Sequence, residues 1–364
     1  MVVFLVSDYI KIKSHKGDYT VGFIQAGMDE LNNKPVENAI YIIDKNVAEL
    51  YKSRLNNIVN AGRVLLIEAT EKNKSLDKFP TYVDALVDLK VRRGQPLVAI
   101  GGGIIQDITC FLATTMMRGL PWMFYPTTLL AQSDSCIGSK SSINSGEIKN
   151  ILGTFTPPSN VVIDVDFLQT LEERDVCSGI GEMLKVHAID LPDSFDKISN
   201  NYDQILSSPT IMEKFIHDSL LMKKKLIEID EFDEGPRNVM NYGHSFGHAI
   251  ESATNYEIPH GVAVTIGMDL ANFVATELGI SNAKHFERMH DVLNKNCSAY
   301  RYVNIDVKHM LSALSKDKKN SATQLRLILP DMDGCIQIGL YDDNSELSKA
   351  VDKGIDELLK MRER

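Results

Sequence analysis

The stretch Leu97-Val98-Ala99-Ile100-Gly101-Gly102-Gly103, continued by Ile104-Ile105-Gln106-Asp107, decides the fold. Four apolar residues read as a buried strand, three glycines as a turn, and Ile105–Met117 as a helix with Asp107 near its start. Glycines let backbone N–H groups approach a diphosphate, and a helix N-terminus favours negative charge. The same glycines also suit a tight strand-to-helix turn with no ligand, and the motif alone does not choose between the two. Working outward, Val2–Val6, Ala39–Ile43, Val64–Ile67, Trp122–Tyr125 and Val161–Ile163 read as further strands, and Ser75–Val91 as a helix. Strand and helix in alternation predict an α/β domain of Rossmann-like type, a mainly parallel sheet covered by helices. Ligands of such sheets sit at the carboxyl ends of the strands. The familiar dinucleotide fingerprint places an acid about 20 residues after its glycines. Here the best strand-end acid, Asp44, precedes them, so a dinucleotide site would have a different topology.

Beyond about Asp166 the texture changes. Long amphipathic patterns dominate: Ile211–Ile229, Val239–Ser252, Val262–Leu278 and a closing helix over Ser345–Arg364, with one short strand at Leu325–Leu329. The expected organisation is an α/β domain over 1–168 and a mostly α-helical domain over 169–364. Two domains also suit 364 residues at roughly 150 per domain.

Composition narrows the function classes. Lys+Arg number 39 against 49 Asp+Glu, a net charge of -10, so a broad nucleic-acid footprint is not expected. An anionic substrate must be met by a local cluster of cations. Cys110, Cys136, Cys177, Cys297 and Cys335 are scattered with no CxxC pair, which argues against a disulfide framework and a cysteine zinc site. The apolar start is too short for a signal peptide, and no run approaches the roughly 18 apolar residues of a membrane span. A cytoplasmic protein without a membrane partner is expected.

The segment 237–251 carries a polar stripe. Arg237, Asn241, His244, His248 and Glu251 recur at intervals of 4, 3, 4 and 3, one face of a helix, between core-like Val239, Met240, Phe246, Ala249 and Ile250. Gly243 and Gly247 each cost about 1 kcal/mol of helix propensity, so close approach of another group is expected there. A solvated face is usually rich in Lys and Glu, and a lone histidine is usually a core residue; two at i, i+4 beside Arg and Asn point to a functional site. His260 follows in a loop-like Pro259-His260-Gly261. A catalytic divalent ion wants about three protein ligands. Spacing leaves open whether His244 and His248 are both ligands or one is an acid–base group. Glu182, between apolar neighbours, is a candidate carboxylate, and an exposed helical Glu fits the same residue. The polar, Gly- and Ser-rich connection Ser133–Asn150 offers Lys140, Lys149 and Asn150 to a phosphate or carboxylate. Lys223-Lys224-Lys225 is a further basic cluster.

Together these segments resemble the 3-dehydroquinate synthase family and its relatives, the sugar phosphate cyclases. The matching stretches are GGGIIQD (101–107), MRGLPWMFYPTTLLAQSDSCIGSK (117–140), IKNILGTF (148–155), VVIDVDFLQTLEERDVCSGIGEMLK (161–185), DEFDEGPRNVMNYGHSFGHAIE (230–251) and HGVAVTIGM (260–268). The resemblance implies that Glu182, His244 and His260 are metal ligands, for zinc or cobalt, and that His248 transfers protons. It implies NAD contacts from Asp44, Glu71, Lys74, Gly102, Gly103, Asp107, Thr127, Thr128, Asp134 and Lys149. Lys140, Asn150, Asn241 and Lys185 would meet substrate and phosphate, with His248, Lys185, Asn241 and Lys140 the catalytic set. Lys223 and Arg237 would hold a substrate carboxylate, and Arg118 would be lent across a homodimer interface. The Asp317-Lys318-Lys319 stretch resembles a C-terminal basic motif.

Relatives that cyclise uncarboxylated sugar phosphates tend to change the positions matching Arg237 and Asn241, and this chain keeps both. The implied reaction is conversion of the phosphorylated sugar acid 3-deoxy-D-arabino-heptulosonate 7-phosphate to 3-dehydroquinate and phosphate, with NAD regenerated in each cycle. The alternatives are a cyclase acting on another C7 sugar phosphate and a glycerol-dehydrogenase-type polyol dehydrogenase. Three positions depart from the family pattern: Gln106, Ser139 and Ile148 each stand where the family usually has glycine.

Overall fold

A computed structural model describes residues 9–315 and 324–362. The expected strand Val2–Val6 and the Asp317-Lys318-Lys319 stretch lie outside the described residues. Eleven strands are described: β1 (Tyr9–Ile12), β2 (Tyr19–Phe23), β3 (Ile40–Asp44), β4 (Val64–Ile67), β5 (Leu97–Gly101), β6 (Trp122–Pro126), β7 (Lys140–Ser145), β8 (Ile148–Phe155), β9 (Asn160–Ile163), β10 (Gln324–Pro330) and β11 (Ile336–Asp342). The chain divides into two compact units. One comprises residues up to Leu171 together with Lys224–Phe232; the other comprises Glu172–Lys223 and Asp233 onward. The return of 224–232 to the first unit departs from the expected single boundary at 168/169. Only the tertiary partners of that segment, and not its composition, reveal it.

In the first unit a seven-stranded sheet has the order β1-β2-β9-β6-β5-β3-β4, parallel except for the β1–β2 pair. Tyr41, Ile43, Val98, Ile100, Met123 and Tyr125 face one buried cluster with Met28, Leu31 and Phe167. Residues of the other parity, Ile40, Ile42, Leu97, Ala99 and Phe124, are buried too. Both faces are covered, as a parallel sheet requires. From β3 the chain runs outward to β4, then reverses through β5 to β6. The strand order therefore switches between β3 and β5, and their carboxyl ends carry Asp44 and the glycine turn.

Ser133–Asn150, expected as a polar connection, is instead one turn of π-helix (Ala131–Ser135) and the β7–β8 hairpin. Its polar composition hides the strand pattern, and Gly146, at φ +57, makes the turn. The Ser75–Val91 pattern is a short 3₁₀ turn followed by an α-helix over Phe79–Asp88, with Pro80 in its first turn.

In the second unit the Glu173–Asp190, His244–Ala253, Ala283–Asn296 and Ser345–Arg362 helices pack against a central one, His260–Glu277. That helix is apolar on nearly every side and buried along most of its length, the expected property of a core helix. Its one buried acid, Asp269, pairs with His290 at 2.9 Å. The Leu325–Leu329 run is the heart of β10, paired with β11. Two expectations fail here. The polar stripe is not one helix: a 3₁₀ turn, Pro236–Asn241, carries Arg237 and Asn241, and Gly243 at φ +75 breaks the chain before the His244–Ala253 helix. His260 does not lie in a loop; it is the first residue of the central helix, with Pro259 as its N-cap. No helix among the described residues is long and apolar enough to cross a membrane.

Candidate active site

Glycine contacts bring three helices of the second unit together. A Cβ on Gly261 would lie 1.8 Å from the Ser178 carbonyl oxygen, and one on Gly181 would lie 2.1 Å from that of Gly261. On the other flank, a Cβ on Gly243 would meet Met268 Cγ at 2.6 Å and the Val264 carbonyl oxygen at 2.7 Å. Each glycine adjoins a polar residue: Gly181 precedes Glu182, Gly243 precedes His244, and Gly261 follows His260. Helices this close place those three side chains at one point.

The imidazoles of His244, His248 and His260 form a triangle with centroids 5.2 to 5.6 Å apart. One nitrogen from each lies within 4.8 Å of the others, spacing suited to a shared cation. Glu182, only 2% exposed, turns Oε1 towards Nε2 of His260 at 3.5 Å and Nε2 of His244 at 3.7 Å. That oxygen is buried with no hydrogen-bond partner among the described residues. Its twin, Oε2, accepts from the buried Lys185 ammonium. A buried carboxylate oxygen without a donor, facing two imidazoles, fits a divalent cation, which supplies the missing positive charge. Two ligand sets are geometrically open, the three histidines or Glu182 with His244 and His260. The orphaned Glu182 oxygen favours the second.

The surroundings orient these ligands. Burial, and then the Lys185 charge, push His244 well below the ordinary imidazole range, so its ring is neutral as a ligand must be. Its Nδ1 faces the Tyr242 carbonyl at 3.3 Å, and the Tyr242 phenol donates to Asn272 Oδ1. His260 Nδ1 faces Glu251 Oε2 at 3.2 Å, leaving Nε2 for the site. Burial lowers the His260 pKa, but the Glu251 hydrogen bond and the Glu182 charge outweigh it and raise the group overall. Lys223 and Arg237 are both buried in this unit. Asn241 donates from Nδ2 to the Asn238 carbonyl at 3.0 Å.

The first unit carries the glycine turn. Gly102 is glycine because a Cβ would meet Thr128 Cγ2 at 2.9 Å. At Gly103 a Cβ would touch, among the described residues, only Ser135 Oγ at 3.9 Å, so their packing does not explain that glycine. The Gly103–Thr115 helix has no side-chain cap among the described residues. A bare helix start beside open space fits a diphosphate. The Thr127 backbone N–H donates to the Gly101 carbonyl at 3.0 Å, which sets Thr127 and Thr128 beside the turn. Asp134 sits on the π-turn. Asp44 at the end of β3 also caps the next helix through Asn46, and burial raises its pKa against that bond.

The expected cofactor residues Lys74, Glu71 and Asp107 share one network with the expected substrate residue Asn150. Lys74 Nζ lies 3.1 Å from Asp107 Oδ2, 2.9 Å from Asn150 Oδ1 and 3.5 Å from Glu71 Oε1. Burial raises the Asp107 carboxyl, opposed by Lys74 and Ser142. Ser142 and Asn144, missed from sequence, hold this network: Ser142 Oγ donates to Asp107 and Asn150, and Asn144 bonds to Glu71 and to the Asn150 backbone. Their alternation along β7 was the available signal. Lys140 and Lys149 are exposed on the hairpin, and Arg118 is exposed in a turn where Met117, Arg118 and Gly119 have φ of 50, 68 and 123°.

Comparison with known proteins divides the chain once, between residues 178 and 179. The family model described as 3-dehydroquinate synthase N-terminal matches residues 64–178, and that described as 3-dehydroquinate synthase C-terminal matches 179–320. A 3-dehydroquinate synthase of Thermoanaerobacter sp. is 33% identical over 91% of this chain and 96% of its own. One of Dictyoglomus turgidum is 37% identical over 85% and 86%. Among solved structures, 2-epi-5-epi-valiolone synthase from Streptomyces hygroscopicus, with NAD+ and Zn2+ bound, aligns at a TM-score of 0.81 and 25% identity over 98% of this chain and 100% of that one. The class is thus an enzyme, a phosphate-eliminating cyclase among the carbon–oxygen lyases. Within that class, the chain belongs to the 3-dehydroquinate synthase family.

Proposed function

We propose that this enzyme converts 3-deoxy-D-arabino-heptulosonate 7-phosphate to 3-dehydroquinate and inorganic phosphate, a step of the shikimate pathway towards the aromatic amino acids, in the cytoplasm and as a homodimer. The observation that carries the reading is the orphaned Glu182 oxygen facing His244 and His260 with His248 alongside. Glu182, His244 and His260 would hold Zn2+ or Co2+, and the strand ends with Asp44, Gly102, Gly103, Thr127, Thr128, Asp134 and Lys149 would hold NAD. Bound there, NAD would supply a reversible hydride acceptor for a ring alcohol, and the divalent cation would supply a Lewis acid.

The chain's own residues do the rest. His248 Nε2 or Nδ1, at the third corner of the triangle, accepts and returns the alcohol proton. Lys185 holds Glu182 in place and adds positive charge where an alkoxide develops. Lys140 and Asn150, with Arg118 of a second copy, grip the phosphate, while Lys223 and Arg237 grip the carboxylate and Asn241 orients the ring. Arg237 is a buried guanidinium, whose planar fork suits a bidentate grip on a substrate carboxylate.

Phosphate release from C7 sugar phosphates with and without a carboxylate tests this. The expected result is release from the carboxylated sugar alone, with no net NADH. Stoichiometric NADH, as from a polyol dehydrogenase, or release only from uncarboxylated sugars would overturn it.

A further inference from the structure

In the first unit, Glu231 is a junction of three segments. Its Oε1 accepts from Ser14 Oγ at 2.5 Å and Ser139 Oγ at 2.5 Å and lies 3.0 Å from His15 Nδ1. Its Oε2 accepts from the His15 backbone N–H at 2.8 Å. The carboxylate is 11% exposed. Burial alone would raise its pKa, but the bonds from Ser139, Ser14 and His15 prevail and bring it down to about 2. Next to it, the Phe232 ring lies 5.1 Å from that of His15 and 5.0 Å, edge-on, from that of Phe155. Phe155 is the cross-strand partner of Lys140.

Ser139 is the residue on which this junction acts. Its backbone is left-handed, φ +63, a conformation natural to glycine and strained for serine. It is buried, its carbonyl accepts from the Thr156 N–H at 2.7 Å, and Lys140 follows it directly. A glycine here would leave the turn free to move. A serine whose hydroxyl is bonded to a carboxylate pins it, because such a charge-assisted bond is stronger than a neutral one.

We infer that Glu231 is a positioning residue: through Ser139 it fixes the left-handed turn that launches Lys140, and so sets where that ammonium meets the phosphate of the substrate. The inference rests on the proposed role of Lys140 and deepens it. No local sequence pattern links Glu231 to Ser139; they are 92 residues apart.

The test combines steady-state kinetics with competitive inhibition by inorganic phosphate on the NAD- and metal-loaded enzyme. Glu231→Gln and Ser139→Ala are each expected to raise KM and the phosphate inhibition constant about tenfold, with a smaller fall in kcat. In a Ser139→Gly background, Glu231→Gln should add nothing, because the connection is already cut. Factors that multiply in the double variant, or an unchanged KM and phosphate inhibition in Ser139→Ala, would overturn the inference. Ser139→Ala and Ser139→Gly decide the matter even if Glu231→Gln fails to fold. Lys140→Ala separates the two levels. If it leaves phosphate inhibition unchanged, the role of Lys140 itself fails; if it weakens inhibition while the Ser139 and Glu231 variants do not, only the positioning role fails.

Discussion

Around the glycine turn of the first unit, the groups offered to a ligand are backbone N–H groups, exposed lysines and a polar network on a two-stranded hairpin. In the histidine cluster of the second unit, they are side chains, from the buried Glu182 to the exposed His248, on three helices whose backbones touch through glycine. The difference governs how each region tolerates change. All three departures from the family pattern, Gln106, Ser139 and Ile148, fall in the first unit. There a new side chain has room to find partners. Gln106 donates to the Ser135 carbonyl at 2.6 Å and accepts from the Ser135 hydroxyl at 2.6 Å, Ser139 bonds to Glu231, and Ile148 is 54% exposed. In the second unit a single methyl group at Gly181 or Gly261 runs into a carbonyl oxygen.

Substitutions can break this contrast, and Gly261→Ala carries the largest expected effect. Separating its helix from Ser178 should destabilise the fold by about 3 kcal/mol and abolish cation retention, measured by denaturant unfolding and metal analysis. If it folds and binds metal normally, the packing argument is wrong.

Next comes pH. Burial holds the His187 imidazole, on the helix that carries Glu182, down at about 4, against the bond that its Nδ1 donates to the Ser194 carbonyl. The unfolded chain takes up the proton near pH 6.5 and the folded one does not. Stability is therefore full above pH 6.5, declines as the pH falls from 6.5 towards 4, and levels off below that. The loss from this group should be about 3 kcal/mol. His187→Asn should flatten that slope in unfolding measured at several pH values, and an unaltered slope would contradict it.

Glu251→Gln should weaken cation binding about 10- to 100-fold in chelator competition, because the carboxylate orients His260. Equal affinity would leave Glu251 without that role. Smaller again, Gln106→Gly should cost about 1–2 kcal/mol by losing the two bonds to Ser135. At the bottom of the scale, Ile148→Gly should stay within about 0.5 kcal/mol, as an exposed change does. Reversal of that order between the two units would end the comparison.

The same contrast explains what sequence could tell. The alternation of apolar runs and helices, the strand into Gly101–Gly103, and the close approach at Gly243 and Gly247 are all local signals, and all are seen in the structure. The stripe from Arg237 to Glu251 kept helical spacing across a left-handed break, because a 3₁₀ turn joined to an α-helix preserves nearly the same intervals. β11 escaped notice because most of its residues are at least partly exposed and its apolar pattern is thin. Pro259 reads as a loop until the chain after it is seen to be helical. The bonds joining Ser142 to Asp107 and Glu231 to Ser139 span long sequence separations, which no local pattern encodes.

Metal stoichiometry in three single variants addresses the histidine cluster most directly. If Glu182, His244 and His260 share one cation and His248 moves protons, the unaltered chain binds one ion, and Glu182→Ala and His260→Ala bind none. His248→Ala should keep its ion but lose phosphate release. An ion lost from His248→Ala and kept by Glu182→Ala would contradict the assignment and make the three histidines the ligands.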